Sequence, residues 1–170
     1  CFADVSTGKL HLTELDSTRL EAEIINEITR FSPKEVLVNE DAARMPKLYD
    51  LIAKTLSLRL DLIDEEYYDA LTALRVKEHF NVESFSSLGV EEGSASQKAL
   101  CSVFYFLFKT QKNDVAAINE IDFYSENKYM RLDLSTRNNL ELTHTMRSND
   151  KKGSLLWVLD NTKTPMGKRM

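Results

Sequence analysis

The sequence is poor in residues that would place it in several common classes. Only two of its 170 residues are cysteine, Cys1 and Cys101, too few for a disulfide framework. A reducing, cytoplasmic location is the corresponding expectation. Five glycines and three prolines argue against a linker or low-complexity chain. No apolar run reaches the roughly 18 residues of a membrane-spanning helix. The opening Cys1-Phe2-Ala3-Asp4 has neither the basic nor the apolar region of a secretory signal and no initiator Met, so the chain is expected to begin inside a longer protein. A phosphate-binding loop is missing too. Gly8-Lys9 and Gly167-Lys168 have Ala3 and Thr162 where the first glycine belongs, and Arg169 follows Lys168 where Ser or Thr is needed. Positive charge is not in excess, with 22 basic residues against 27 acidic ones and a net charge of -5. This excludes a surface built throughout to hold phosphate backbones.

What is present allows a core. Hydrophobic residues make up 42% of the chain, enough for one domain or one domain plus part of another. The charge is uneven. Residues 1–112 hold 13 basic and 19 acidic side chains, and residues 113–170 hold 9 and 8. Six cations (Arg147, Lys151, Lys152, Lys163, Lys168 and Arg169) face only Asp150 and Asp160 near the end. That cluster reads either as a solvated face or as a segment near nucleic acid. The shift in composition predicts two units joined near Gln111–Ala117.

Hydrophobic periodicity predicts the elements. Phe2–Val5 and Lys9–Leu15 flank Ser6-Thr7-Gly8 as a hairpin. Thr18 and Glu21 have capping-box spacing, and Leu20, Ile24, Ile28 and Phe31 recur at helical spacing up to Ser32-Pro33. Val36-Leu37-Val38 suits a buried parallel strand. Pro46 fits a first helical turn leading to Leu48, Leu51, Ile52 and Leu56, and Leu56–Leu62 alternates as a strand. Asp64 is expected to cap a helix whose apolar stripe is Tyr67, Tyr68, Leu71 and Leu74. Residues 97–109 form the clearest helix, apolar on most sides through Leu100, Val103, Phe104, Leu107 and Phe108. This alternation predicts an α/β fold: a mixed, mostly parallel sheet flanked by helices. Beyond the junction, Ile121–Tyr124 and Tyr129–Leu134 read as strands around a turn at Ser125–Lys128. A helix capped by Ser135 and carrying Leu140 and Met146 follows, and then an apolar segment, Leu155–Leu159. The stop at Met170, with no helix-end signal, is expected to cut through a domain.

Chemistry-bearing residues are sparse. Asp4, on a first strand and followed by a hairpin, stands where ribonuclease H-like nucleases place a metal ligand. Asp61 and Glu40 are the candidate companions for two-metal chemistry. The competing reading makes Asp4 a turn hydrogen bonder. His11, His79 and His144 have no metal-ligand spacing and read as packing or surface residues. Cys101 lies in the apolar helix as a small hydrophobe, and Trp157 is expected in a core rather than on a base-stacking surface.

Two longer motifs carry a resemblance. Asp133-Leu134-Ser135-Thr136-Arg137-Asn138-Asn139-Leu140-Glu141-Leu142 resembles the D-x-x-T-R-x-N-L-E-[LI] run that starts the core, or lever, domain of the MutS family of DNA mismatch-repair proteins. The stretch from Leu155 to Arg169 is similar to that family's L-x-x-x-L-D-x-T-x-T-x-M-G-x-R segment. Ala3-Asp4-Val5-Ser6-Thr7-Gly8 and Gly89-Val90-Glu91 resemble elements of its connector domain, in the right order.

The resemblance implies a ribonuclease H-like connector without nuclease activity over residues 1–115, followed by a truncated, helical start of the core domain over 116–170. It implies no catalytic, metal or cofactor site in this chain. ATP and magnesium would belong to a parent ATPase, itself a homodimer that binds mismatched double-stranded DNA through other domains. The family's G-x-F-[YF]-E mismatch-reading motif is absent from this sequence. The connector's implied role is to couple DNA and nucleotide states and to offer a surface to MutL. By position, Leu74, Arg75 and Lys77 fall on that surface, whereas Ser135, Thr136, Arg137 and Asn138 have capping and packing roles.

Overall fold

In the computed structural model, the described residues are 1–16, 18–56, 58–110, 115–124, 132, 134–164 and 167. The chain divides into two compact units, Cys1–Lys128 and Tyr129–Met170.

The first unit begins with the expected hairpin. Strands β1 (Phe2–Asp4) and β2 (Lys9–Leu12) pair antiparallel, with Ala3 opposite Leu10. The turn closes as the Gly8 amide donates to the Asp4 carbonyl at 2.9 Å. Gly8 has a φ of +73°, and a Cβ there would lie 2.2 Å from the Ala117 carbonyl oxygen. Only glycine fits both the left-handed backbone and this close approach. Strand β5 (Glu120–Phe123) runs parallel to β2 with Leu10 opposite Ile121. Residues 120–123, expected beyond the junction, therefore hydrogen-bond into the first unit.

A second sheet holds β3 (Glu35–Val38) and β4 (Arg59–Leu62), parallel, with Val36 opposite Leu60. Their crossover contains α2 (Glu40–Ala43), α3 (Pro46–Asp50) and a π-helical turn at Leu51–Thr55. The α/β character and the prevalence of parallel pairing hold among the described residues. The single sheet does not: the strands form one sheet of three and one of two. Each has its own apolar cluster. Leu10, Leu12, Val76, Phe85, Leu100, Phe104 and Ile118 pack around the three-stranded sheet. Ile28, Leu48, Leu51 and Ile52 pack beside the other. Each fully buried large side chain of this kind stabilises by about 1.5–3 kcal/mol.

Helix boundaries shift where side chains find distant partners. Helix α1 (Leu20–Phe31) begins without a side-chain cap. Glu21 does not close the expected box with Thr18; its carboxylate accepts from the Lys47 and Leu48 amides at 2.7 and 3.1 Å, capping α3. Asp64 caps only a 3₁₀ turn, Glu65–Tyr68. Asp69 caps the next helix, α4 (Ala70–Phe80), by accepting from the Thr72 amide at 2.7 Å. Helix α5 (Ala95–Thr110) matches its expected pattern, and the Glu14 carboxylate accepts from the Ser96 amide at its start.

In the second unit, α6 (Leu134–Asn139) and α7 (Leu155–Leu159) are short. Ser135 is therefore inside α6 rather than its cap. The expected continuation to Met146 ends at Asn139, because Glu141 adopts a φ of +47° and its carboxylate accepts from the Met146 amide at 2.7 Å. Ser154 caps α7, its hydroxyl accepting from the Trp157 amide at 3.2 Å. Leu134, expected at a strand end, is helical; the turn 125–128 and residues 129–131 lie outside the described residues.

Candidate partner-binding surface

Helix α4 turns a different face inward from the one its leucines announce. Thr72 and Val76 are buried at 4% and 0% exposure, whereas Leu71 and Leu74 are 57% and 53% exposed. The expected stripe through Tyr67, Tyr68, Leu71 and Leu74 fails because Tyr67 and Tyr68 lie on the preceding 3₁₀ turn. Starting the helix at Ala70 rotates Val76 and Thr72 toward α5. Leu71 and Leu74, three residues apart, then share the outer face.

The three residues expected on a partner surface divide between two grooves that share Glu78. Leu74 and Lys77 line a shallow groove of about 600 Å³ with Glu78, Asn81, Val82 and Glu83. Arg75 is exposed and lines a second groove of about 540 Å³ with Glu78, His79 and Phe108. Lys77 is engaged within its unit: Nζ lies 3.3 Å from Glu92 Oε1 and 5.1 Å from the centre of the Phe85 ring. Leu74 and Arg75 are thus presented outward, and Lys77 ties α4 to the Glu92 loop. Glu78, Asn81 and Val82 had no sequence signal beyond helical spacing from Leu74 and Lys77. The groove also needs Asn81 in the left-handed conformation, φ +53°, which ends α4 and turns the chain.

The remaining candidates are occupied locally. The Asp4 carboxylate accepts from the Ser6 amide at 2.9 Å and the Ser6 hydroxyl at 2.6 Å, and these bonds hold it below the usual carboxylate range. That is the turn reading. Asp61 Oδ2 is 3.2 Å from Arg59 Nε, and Glu40 Oε2 is 2.9 Å from Arg44. Among the described residues no three His, Cys, Asp or Glu side chains group to hold a metal ion, and the alternative of a nuclease centred on Asp4 gains no support.

His11 Nδ1 lies 3.1 Å from Asp122 across β2 and β5. His79 Nε2 is 2.7 Å from the Ile118 carbonyl, and His144 Nδ1 is 3.1 Å from the Thr143 hydroxyl. Burial pushes the Cys101 thiol up to about 11, the opposite of an activated nucleophile.

In the basic segment, Lys151 is spent on Asp160 at 2.7 Å. That ammonium, with the Thr162 hydroxyl, holds the Asp160 carboxyl well below its ordinary range. Lys168 and Arg169 lie outside the described residues. Trp157, expected in a core, is 49% exposed. Among the described residues no helix is long and apolar enough to cross a membrane.

Comparison with known proteins covers nearly all of this sequence. A family model described as MutS domain II matches residues 1–119, and one described as MutS domain III matches residues 135–170. The chain is 36% identical over 168 residues to the DNA mismatch repair protein MutS of Lachnoclostridium phytofermentans, covering 98% of the chain and 18% of that protein. It is 40% identical over 171 residues to the protein of the same name from Alkaliphilus metalliredigens, covering 99% and 19%. With that of Alkaliphilus oremlandii it shares 37% over 172 residues, covering 99% and 20%. The chain spans about a fifth of the length of these curated relatives.

Proposed function

This chain belongs to the MutS family, and from that premise we propose that it serves as the connector and the start of the core domain of a DNA mismatch-repair ATPase. In this reading the chain is not catalytic. It transmits changes between mismatched DNA and nucleotide, both held by other parts of a homodimeric parent. ATP and magnesium belong to that parent. The supporting observation is the ordered match to two successive MutS domains along one chain. A ribonuclease H-like connector is part of the same proposal, supported by the antiparallel hairpin whose second strand pairs in parallel with β5.

The outer face of α4 is the proposed docking surface for MutL. An exposed leucine pair beside an exposed arginine is the composition of an interface centre: apolar area to desolvate and a guanidinium to orient. Titration of the full-length parent with its cognate MutL tests this. Leu74→Glu and Arg75→Glu are each expected to weaken the complex about tenfold or more while leaving the melting temperature unchanged, since neither side chain is buried. A full-length protein that forms no complex with MutL, or one indifferent to both substitutions, refutes the docking assignment. The 170-residue chain alone is expected to show no ATP hydrolysis and no preference for mismatched over matched duplex.

A further inference from the structure

The segment that leads into β5 is gripped from two sides. On one side the β1–β2 turn presses against it. The Gly8 carbonyl accepts from the Asn119 and Glu120 amides at 3.2 and 3.4 Å, and the Gly8 α-carbon sits so close to Ala117 that no Cβ fits. On the other side stands α4. His79 Nε2 is 2.7 Å from the Ile118 carbonyl oxygen. Ile118 is 0% exposed, so its carbonyl has no water and needs a donor from the protein. The His79 ring cannot swing away freely, because Phe80 and Phe104 each pack with centroids 4.9 Å from it.

We propose that His79 is a positioning residue: its Nε2–H clasps the Ile118 carbonyl, so that α4 and the start of β5 loosen together. The acceptor is a carbonyl, so Nε2 must carry the proton. Leu71, Leu74 and Arg75 lie on the same helix as His79, so a disturbance of that helix reaches the strand that ends the described part of the first unit. The clasp goes beyond the proposed function and does not depend on any partner.

Amide hydrogen exchange on the 170-residue chain tests it through a double-mutant cycle, with the Leu100 amide of α5 as the internal reference. Breaking the bond in His79→Phe is expected to speed exchange at Ile118, Asn119 and Glu120 about five- to tenfold. His79→Gln, which retains a donor, is expected to stay within about twofold of the parent. Leu71→Gly, which weakens α4, is expected to speed the same amides about threefold in the parent and in His79→Gln. In the His79→Phe background the factor should fall below about 1.5-fold, because the link is already cut. An equal Leu71→Gly factor in the His79→Phe background overturns the proposal. So does unchanged exchange in His79→Phe, or a His79→Gln variant as loose as His79→Phe. Should His79→Phe fail to fold, the nitrogen-15 correlation spectrum of the unmutated chain decides: an Nε2–H imidazole is expected, and a ring protonated only at Nδ1 overturns the clasp.

Discussion

The two units use apolar residues in opposite ways. In Cys1–Lys128, Phe85, Phe104, Leu10, Leu12, Leu48 and Ile52 lie at 1% exposure or less. In the described part of Tyr129–Met170 the one buried residue is Ser154, while Leu155, Leu156, Trp157, Val158 and Leu159 are 42–66% exposed. Hydrophobic sequence is therefore not sufficient for a core. A helix buries an apolar face only if another element offers a complementary one, and among the described residues of this unit none covers the five large side chains of α7. The same contrast appears in miniature on α4, where Val76 is enclosed and Leu74, two residues away, is open.

Substitution can break this contrast. Phe104→Ala is expected to cost the 170-residue chain about 3–5 kcal/mol in a urea titration, whereas Trp157→Ala should cost less than about 0.5 kcal/mol. Equal losses would mean that α7 is packed in solution and that the two units are alike. A smaller effect separates two glycines of the first unit. Gly8→Ala combines a left-handed φ with a 2.2 Å clash, while Gly89, φ +74°, has nothing within 4 Å of its would-be Cβ. Thermal melts should show Gly89→Ala losing about 1 kcal/mol and Gly8→Ala at least about 2 kcal/mol. The reverse order would dissolve the close approach to Ala117.

Smaller again is Ser154→Ala. It removes the α7 cap and should lower helical circular dichroism with a loss of about 1 kcal/mol, confined to the second unit. Unchanged α7 amide exchange in that variant would contradict the cap.

The smallest expected effect is acid sensitivity in the first unit. The Ser96 hydroxyl and amide at the start of α5 hold Glu14 below its ordinary value of 4.5. A carboxylate depressed by folding adds stability above its unfolded value, and this is lost as pH falls through the folded value. The urea midpoint should therefore decline as pH drops below about 4.5, and decline less steeply in Glu14→Gln. Identical slopes would show that Glu14 contributes nothing to the linkage.

Much of the local structure is legible in the sequence. The hairpin follows from Ser6-Thr7-Gly8 between apolar runs. Helix α5 follows from its stripe, and the reading of His79 as a packing or surface residue from its lack of metal-ligand spacing. Boundaries set by tertiary partners are not legible. Glu21 is spaced to cap its own helix, yet it caps α3 across 26 positions of sequence. Asp64 is the cap expected from the sequence, and only the backbone shows that the longer helix uses Asp69. On the candidate surface, Leu74 and Arg75 are proposed from the resemblance. That they open toward different grooves, and that Lys77 is tied to Glu92, depends on how α4 is rotated against α5.

By itself, the sequence determined the family, the order of the two domains and the placement of most strands and helices. These depend on residue identity and on spacing within about a dozen positions. Only the tertiary structure decided which strands share a sheet, that β5 joins β2 in the first unit, which leucines of α4 meet solvent, and that His79 faces the Ile118 carbonyl. Those outcomes rest on pairings between residues that are tens of positions apart. No local pattern encodes them, because backbone hydrogen bonds and apolar contacts accept many partners until the packed chain leaves one.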